Sequence, residues 1–477
     1  MVFSSLVFTF IFLPVVVALY FIAKDKYRNY ILLAASLLFY AYGEPRFVLV
    51  MILSIAVNYF IALSIDRQNI SGSKNRSRVL LITDIVLNIG LLFVFKYLNY
   101  TVLCINRLFK TELNDPEIAL PIGISFFTFQ ALSYCIDVYR GTVRAQKNPL
   151  YTALYISFFP QLIAGPIVRY STIADQITGR SLNIDDFAEG VRRFFLGFAK
   201  KVILANNLSS VASQIFGSDY SNANPYMLWL GSICFSLQIF YDFSGYSDMA
   251  IGLGRMFGFR FHENFNYPYI SRSITEFWRR WHISLGQWFR DYVYIPLGGS
   301  RVPVPRNILN LFIVWALTGI WHGANVTFLI WGLLYFLLLS IEKFVIRPEK
   351  HGNIIFTTLW RICSLFFINI GWVIFNSAGL PDAFGFIKGM FGGYGTGISF
   401  FADSSLKRLL REYGAFIILG LIFSAPVMKY LKQKLESKSI GKMTVSVISP
   451  IAYGFIFIWA VSYLILGSHN PFIYFNF

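Results

Sequence analysis

NILNLFIVWALTGIWHGANVTFLIWGLLYFLLLSI, residues 307–341, runs for thirty-five positions without an Asp, Glu, Lys or Arg, and its one imidazole is His322. As a single helix it would extend about 52 Å, well beyond a hydrocarbon core of about 30 Å. Gly319, Gly323 and Asn325 gather near its middle, where a helix can break. The stretch therefore predicts a hairpin of two membrane helices with His322 near the turn. Both outer flanks are basic, Arg301 and Arg306 on one side and Lys343, Arg347 and Lys350 on the other, which puts both ends on the cytoplasmic side and His322 at the far end. A protonatable side chain in hydrocarbon is costly, so His322 has two readings. It faces a protein interior and does chemistry there, or it is a buried ring satisfied by a neighbouring carbonyl.

The rest of the 477 residues has the same character. The chain is 56% apolar and only 14% charged, against about a quarter charged in soluble domains, and predicts an all-α polytopic membrane protein. Its formal charge of +17 reads as cytoplasmic-loop charge, which argues against a nucleic-acid partner and leaves membrane lipid as the surrounding medium. Cys104, Cys135, Cys234 and Cys363 are isolated, with no CxxC and no Cys/His ligand spacing, so no metal site is expected. The hydrophobic start, MVFSSLVFTFIFLPVVVALYF, lacks a basic leader and reads as a retained first helix.

Crossings are placed near 3–22, 28–43, 47–65, 79–98, 226–256, 307–322, 325–341, 354–376, 412–430 and 445–467, with Ala402–Glu412 as a polar loop. Lys24, Lys26 and Arg28, then Arg67, Lys74, Arg76 and Arg78, put the N-terminus outside. One integrated domain over 1–477 is the simplest organisation, with N-terminal helices at 1–117, a core at 118–345 and C-terminal helices at 346–477. In that core, 118–210 and 257–306 mix aromatic residues with Arg, Asp, Gly and Pro, a composition that lipid cannot surround and that implies re-entrant or interfacial elements. Asp185–Leu208 carries an apolar stripe of Phe187, Val191, Phe194, Phe195, Phe198 and Val202 against Arg192, Arg193, Lys200 and Lys201, and reads as an amphipathic helix on the cytoplasmic surface; the alternative is a tilted core helix with snorkelling lysines.

A second unusual segment, FWRRWHISLGQWFRDYVYIPLGGSR at 277–301, packs three tryptophans, four arginines, Asp291 and His282 into twenty-five residues. Arg279, Arg280 and Arg290 suit an anionic group such as the phosphates of a coenzyme, or equally an interfacial anchor. Asp291 is placed to fix the arginines. Asp242 and Asp248, in YDFSGYSD, need partners inside an otherwise uncharged helix and are expected to form ion pairs. His262, His351 and His469 read as ordinary loop or terminal residues.

Together FWRRWHISLGQWFRDYVYIPLGGSR, TGIWHGANVTFLIWG (318–332) and YDFSGYSDMAIGLGRMFGF (241–259) resemble the membrane-bound O-acyltransferase (MBOAT) family, in its alginate O-acetyltransferase (AlgI-like) branch. The N-terminal MVFSSLVFTFIFLPVV, LPIGISFFTFQALSYCIDVYRG (120–141), FFPQLIAGPIVR (158–169) and the terminal FIYFNF extend the likeness to nearly the whole chain.

The resemblance implies about eleven transmembrane helices, with re-entrant and amphipathic helices around a central tunnel, in a bacterial cytoplasmic membrane. It implies His322 as the catalytic residue and His282 as its companion, with Arg279, Arg280, Trp281, Arg290, Asp291, Tyr241, Ser244 and Asn325 as candidates to line the tunnel or meet the donor. The implied reaction is O-acetylation of an exported polysaccharide from a thioester donor such as acetyl-CoA. The implied partners are an extracytoplasmic SGNH-hydrolase-like acyltransferase and polysaccharide synthesis or export machinery. Alternatives are D-alanyl transfer to teichoic acid from a carrier protein, an acyl transporter or flippase without chemistry of its own, and a scaffold for an export complex.

Overall fold

A computed structural model describes residues 1–395, 403–437, 439–467 and 473; His469 and all but Ile473 of the terminal FIYFNF lie outside the described residues. Every regular element among the described residues is a helix. Six helices are long and apolar enough to cross a membrane: Phe47–Ile70, Lys74–Phe109, Val304–His322, Val326–Lys350, Ile354–Asn376 and Ser446–Ile465. Ser404–Phe423 and Val427–Glu436, bent by 63° at a short break, make a seventh if taken as one span. The other segments placed as crossings are also helices. Phe8–Ile22 is apolar but short, Asp25–Gly43 opens on charged residues, and Pro225–Met256 carries its polar residues inward, with Gln238, Asp242, Ser244 and Ser247 all buried.

The expected loop at 402–412 is corrected. Asp403 accepts the Leu406 amide at 2.9 Å and starts a helix at Ser404 whose Leu406 and Leu409 are buried. An N-cap of this kind satisfies one of the four free amides of the first turn, which a composition-based loop reading overlooks.

The chain forms two compact units, Met1–Phe194 with Ser247–Glu263, and Phe195–Tyr246 with Asn264–Phe477. In the first, Ile124–Arg140 is sheathed on nearly all sides, from Ile124 to Val138, between Gly123 and Gly141, both at positive φ. Buried amides lock its neighbours: Asn88 Nδ2 donates to Asn58 Oδ1 at 3.0 Å, and Asn58 Nδ2 to the Ser54 carbonyl at 2.8 Å. Arg193 is held by Asp248 at 2.7 Å and by Glu263 at 2.5 Å.

The second unit contains both histidines of interest. Inside it Lys201, 3% exposed at its side chain, meets Asp242 at 2.6 Å, and the other Asp242 oxygen accepts the Ile473 amide at 2.9 Å. The ion pairs expected of Asp242 and Asp248 are therefore present. They also correct the basic face expected for 185–208 at two of its four cations. Lys201 turns to the buried Asp242, and Arg193 to the partly buried Asp248 and the exposed Glu263, because residue spacing alone does not distinguish a wetted cation from a paired one.

Candidate active site

The hairpin forms as its sequence dictates. Val304–His322 ends at Gly323, whose extended backbone leaves the helix, and Val326–Ile341 begins after Asn325, whose side chain accepts the Thr327 amide at 3.0 Å. The remaining amide hydrogens of Asn325 reach the Ala378 carbonyl at 2.9 Å, so this candidate tunnel residue serves as a cap. Gly319 does not break the helix. A Cβ there would stand 2.5 Å from the Phe328 carbonyl oxygen, and one on Gly332 would stand 2.4 Å from that of Trp315, so the two arms close backbone to backbone at these glycines.

His322 is thus the last helical residue before the turn. It is 8% exposed and lies among rings, with centroids 5.0 Å from Trp331, 5.1 Å from Phe375 and 4.9 Å from Trp321.

His282 is positioned by different means. The short helices Ile274–Arg280 and Ile283–Phe289 leave Trp281 extended and His282 in the left-handed region at φ 43° between them. Buried Asn264 holds this bend: its carbonyl accepts the Ile283 amide at 2.9 Å, and its side-chain Oδ1 accepts the Ser284 amide at 3.2 Å and the Ser284 hydroxyl at 2.9 Å. The same Oδ1 lies 3.1 Å from His282 Nδ1. Because a backbone N–H only donates, that Asn264 atom is the oxygen; Nδ1 therefore carries the proton and Nε2 presents the lone pair. Burial pushes the His282 imidazole down to about 3, so the ring is neutral.

An aromatic cluster joins the two histidines. Trp321, adjacent to His322, lies 6.2 Å from the His282 ring. Trp281 packs 4.8 Å from Trp372, and Trp278 packs 4.7 Å from Tyr335, 5.0 Å from Trp315 and 5.4 Å from Trp331. Phe243 meets His282 edge-on at 4.6 Å, from the helix that also carries buried Ser244.

The arginines do not converge on one point. Arg280 is committed to Glu276 at 2.8 Å and to the Asn266 carbonyl at 3.0 Å, and Arg290 to Asp291 at 2.6 Å, whereas Arg279 is exposed. Tyr241 donates to the Gly420 carbonyl at 2.6 Å from a fully buried position.

Residues 143–378, which hold this cluster, match the membrane-bound O-acyltransferase family. A probable alginate O-acetylase AlgI of Pseudomonas aeruginosa is 44% identical across 92% of this chain and 84% of its own length. The chain belongs to the membrane-bound O-acyltransferase family. The same probable AlgI from Pseudomonas putida aligns with all of both chains at 38% identity, and a peptidoglycan O-acetyltransferase of Helicobacter pylori with all of this chain and 98% of its own at 34%. The protein is a polytopic O-acyltransferase of the membrane.

Two residues of this O-acyltransferase were not singled out from its sequence. Asn264 sits in FRFHENFNYPY, where the eye goes to His262, and nothing in its spacing foretells that it will orient His282. Glu342 looks like a mere boundary of the apolar run, yet it is 2% exposed.

Proposed function

We propose that the chain O-acetylates an exported polysaccharide, taking acetyl from a cytoplasmic thioester, acetyl-CoA, in the cytoplasmic membrane of a bacterium with the N-terminus outside. The observation that carries this is the placement of His322 at the break of an otherwise uncharged hairpin, in one ring cluster with an oriented, neutral His282. The relatives named above, a probable alginate O-acetylase and a peptidoglycan O-acetyltransferase, support a glycan acceptor and acetyl over D-alanine.

In this reading a neutral His322 takes the proton of the attacking hydroxyl as its oxygen bonds to the thioester carbonyl carbon. The tetrahedral intermediate then collapses, the C–S bond breaks, and the imidazolium returns the proton to the departing thiolate, leaving an ester and a free thiol. General-base work of this kind contributes roughly 10²–10⁴-fold. His282 orients the reacting groups with its Nε2 lone pair, and Arg279, the exposed arginine of its group, meets the donor's phosphates. The hydroxyl belongs to the glycan itself or to an extracytoplasmic SGNH-hydrolase-like partner that hands the acetyl on, alongside the polysaccharide's synthesis or export machinery.

The test is His322→Ala, with acetyl ester in the exported polymer measured per folded membrane protein. Loss of ester with normal yield is expected. Undiminished ester would sink the reading in favour of transport without chemistry or of a scaffold.

A further inference from the structure

Glu342 is a carboxylate buried at the end of an apolar helix, 2% exposed, in a span where a charged group requires specific partners. Its partners are all N–H donors. Oε2 accepts the Ile274 amide at 2.9 Å and the Trp360 indole at 3.1 Å, and Oε1 accepts the Thr275 amide at 2.8 Å. Among the described residues no lysine or arginine pairs with it; the adjacent Lys343 turns instead to Asn307 at 2.9 Å and Tyr294 at 3.2 Å.

Ile274 and Thr275 are the first two residues of the short helix Ile274–Arg280, capped by Ser273, whose hydroxyl accepts the Glu276 amide at 3.1 Å. Seven residues cannot hold a helix by themselves in any particular place, so its position comes from what grips its ends. At the far end the Asn266 amide donates to the Arg280 carbonyl at 3.0 Å, and Asn264 takes over at His282 and Ile283. At the near end the grip is Glu342, which extends from the same hairpin arm that carries Trp331 and Tyr335. The carboxylate therefore ties the helix bearing Phe277 and Trp278, and through it Trp281 and His282, to the hairpin bearing His322.

We infer that Glu342 is a positioning residue for acyl transfer, setting the spacing between the two histidines without touching either. The inference rests on the reading above that the ring cluster is the site of acyl transfer.

The experiment uses the full chain in proteoliposomes with an alginate oligosaccharide in excess as the hydroxyl acceptor, following thiol released from acetyl-CoA over a range of donor concentrations. Near-UV circular dichroism reports on the tryptophan cluster. Glu342→Ala is expected to lower kcat at least tenfold with KM within twofold and an altered tryptophan signal, at unchanged far-UV helix content. Glu342→Gln, which keeps one accepting oxygen and is close in shape, is expected to fall between it and the unaltered protein. Trp360→Phe, which removes one of the three donors, should cost threefold or less.

A Glu342→Ala protein whose rate per folded molecule stays within twofold overturns the proposal. Should that variant not fold, Glu342→Gln decides: kcat reduced at constant KM supports positioning, and kcat unchanged refutes it. His322→Ala in the same preparation separates the two ideas, because persistent thiol release there defeats the site assignment whatever Glu342 does.

Discussion

The hairpin at 304–341 and the segment at 264–294 each deliver a histidine to one ring cluster, by opposite strategies. The hairpin is built locally. Two apolar helices, a glycine exit at Gly323 and an asparagine entry at Asn325 decide where His322 falls, and Gly319 and Gly332 let the arms close. The segment is built by remote partners: two helices of seven residues each, a left-handed bend at His282, and hydrogen bonds supplied by Asn264 and Glu342. A site can thus join one half that hydropathy alone nearly specifies to another half that exists only once the fold is complete.

The largest effect expected is at the hairpin's apex. His322→Ala should cost roughly 10²–10⁴ in transfer rate, measured against helix content, and leave the packing of 264–294 intact. A loss of the tryptophan signal there would show that the two halves are not independently built.

Next comes the closeness of the hairpin's arms. Gly332→Ala forces a methyl group towards the Trp315 carbonyl and should destabilise by about 1–3 kcal/mol, read as a lower midpoint in thermal unfolding.

The segment should show its dependence on burial through pH. The folded pKa of His282 lies below that of an unfolded histidine, so its stability contribution is complete above about pH 6.5 and is lost as pH falls towards the folded value. Between pH 7 and pH 5 this should remove about 2 kcal/mol, and His282→Asn should abolish that loss. An equal acid sensitivity in both proteins would mean that the His282 ring is not held neutral.

The smallest effect is at the surface. Arg279→Ala should raise KM for the donor severalfold, an effect that fades at high salt, because an exposed arginine acts through a screened field. An effect on kcat instead would move Arg279 into the cluster's own architecture.

These contrasts explain what could be read from the sequence. The spans and the hairpin were legible because hydropathy and helix-breaking residues act over a few neighbouring positions. The need of Asp242 and Asp248 for partners was legible because isolated carboxylates cannot stay bare in an apolar helix. Their partners Lys201 and Arg193 were not, because the helical pattern of 185–208 serves a wetted face and a paired one equally well. The commitment of Arg280 to Glu276, four residues earlier, follows ordinary helical spacing, yet it competes with the more attractive idea of a phosphate clamp. Asn264 and Glu342 were invisible because each accepts from backbone amides, which leave no mark in a sequence, and from side chains that only the completed fold brings near.

The left-handed backbone at His282 has a practical consequence for dissecting this enzyme. Alanine there would remove the imidazole and also oppose the bend, since a side chain without polar atoms gains nothing from positive φ, and the measured defect would mix chemistry with conformation. Asparagine adopts that geometry more readily than most residues, so it is the replacement that isolates what the ring itself contributes.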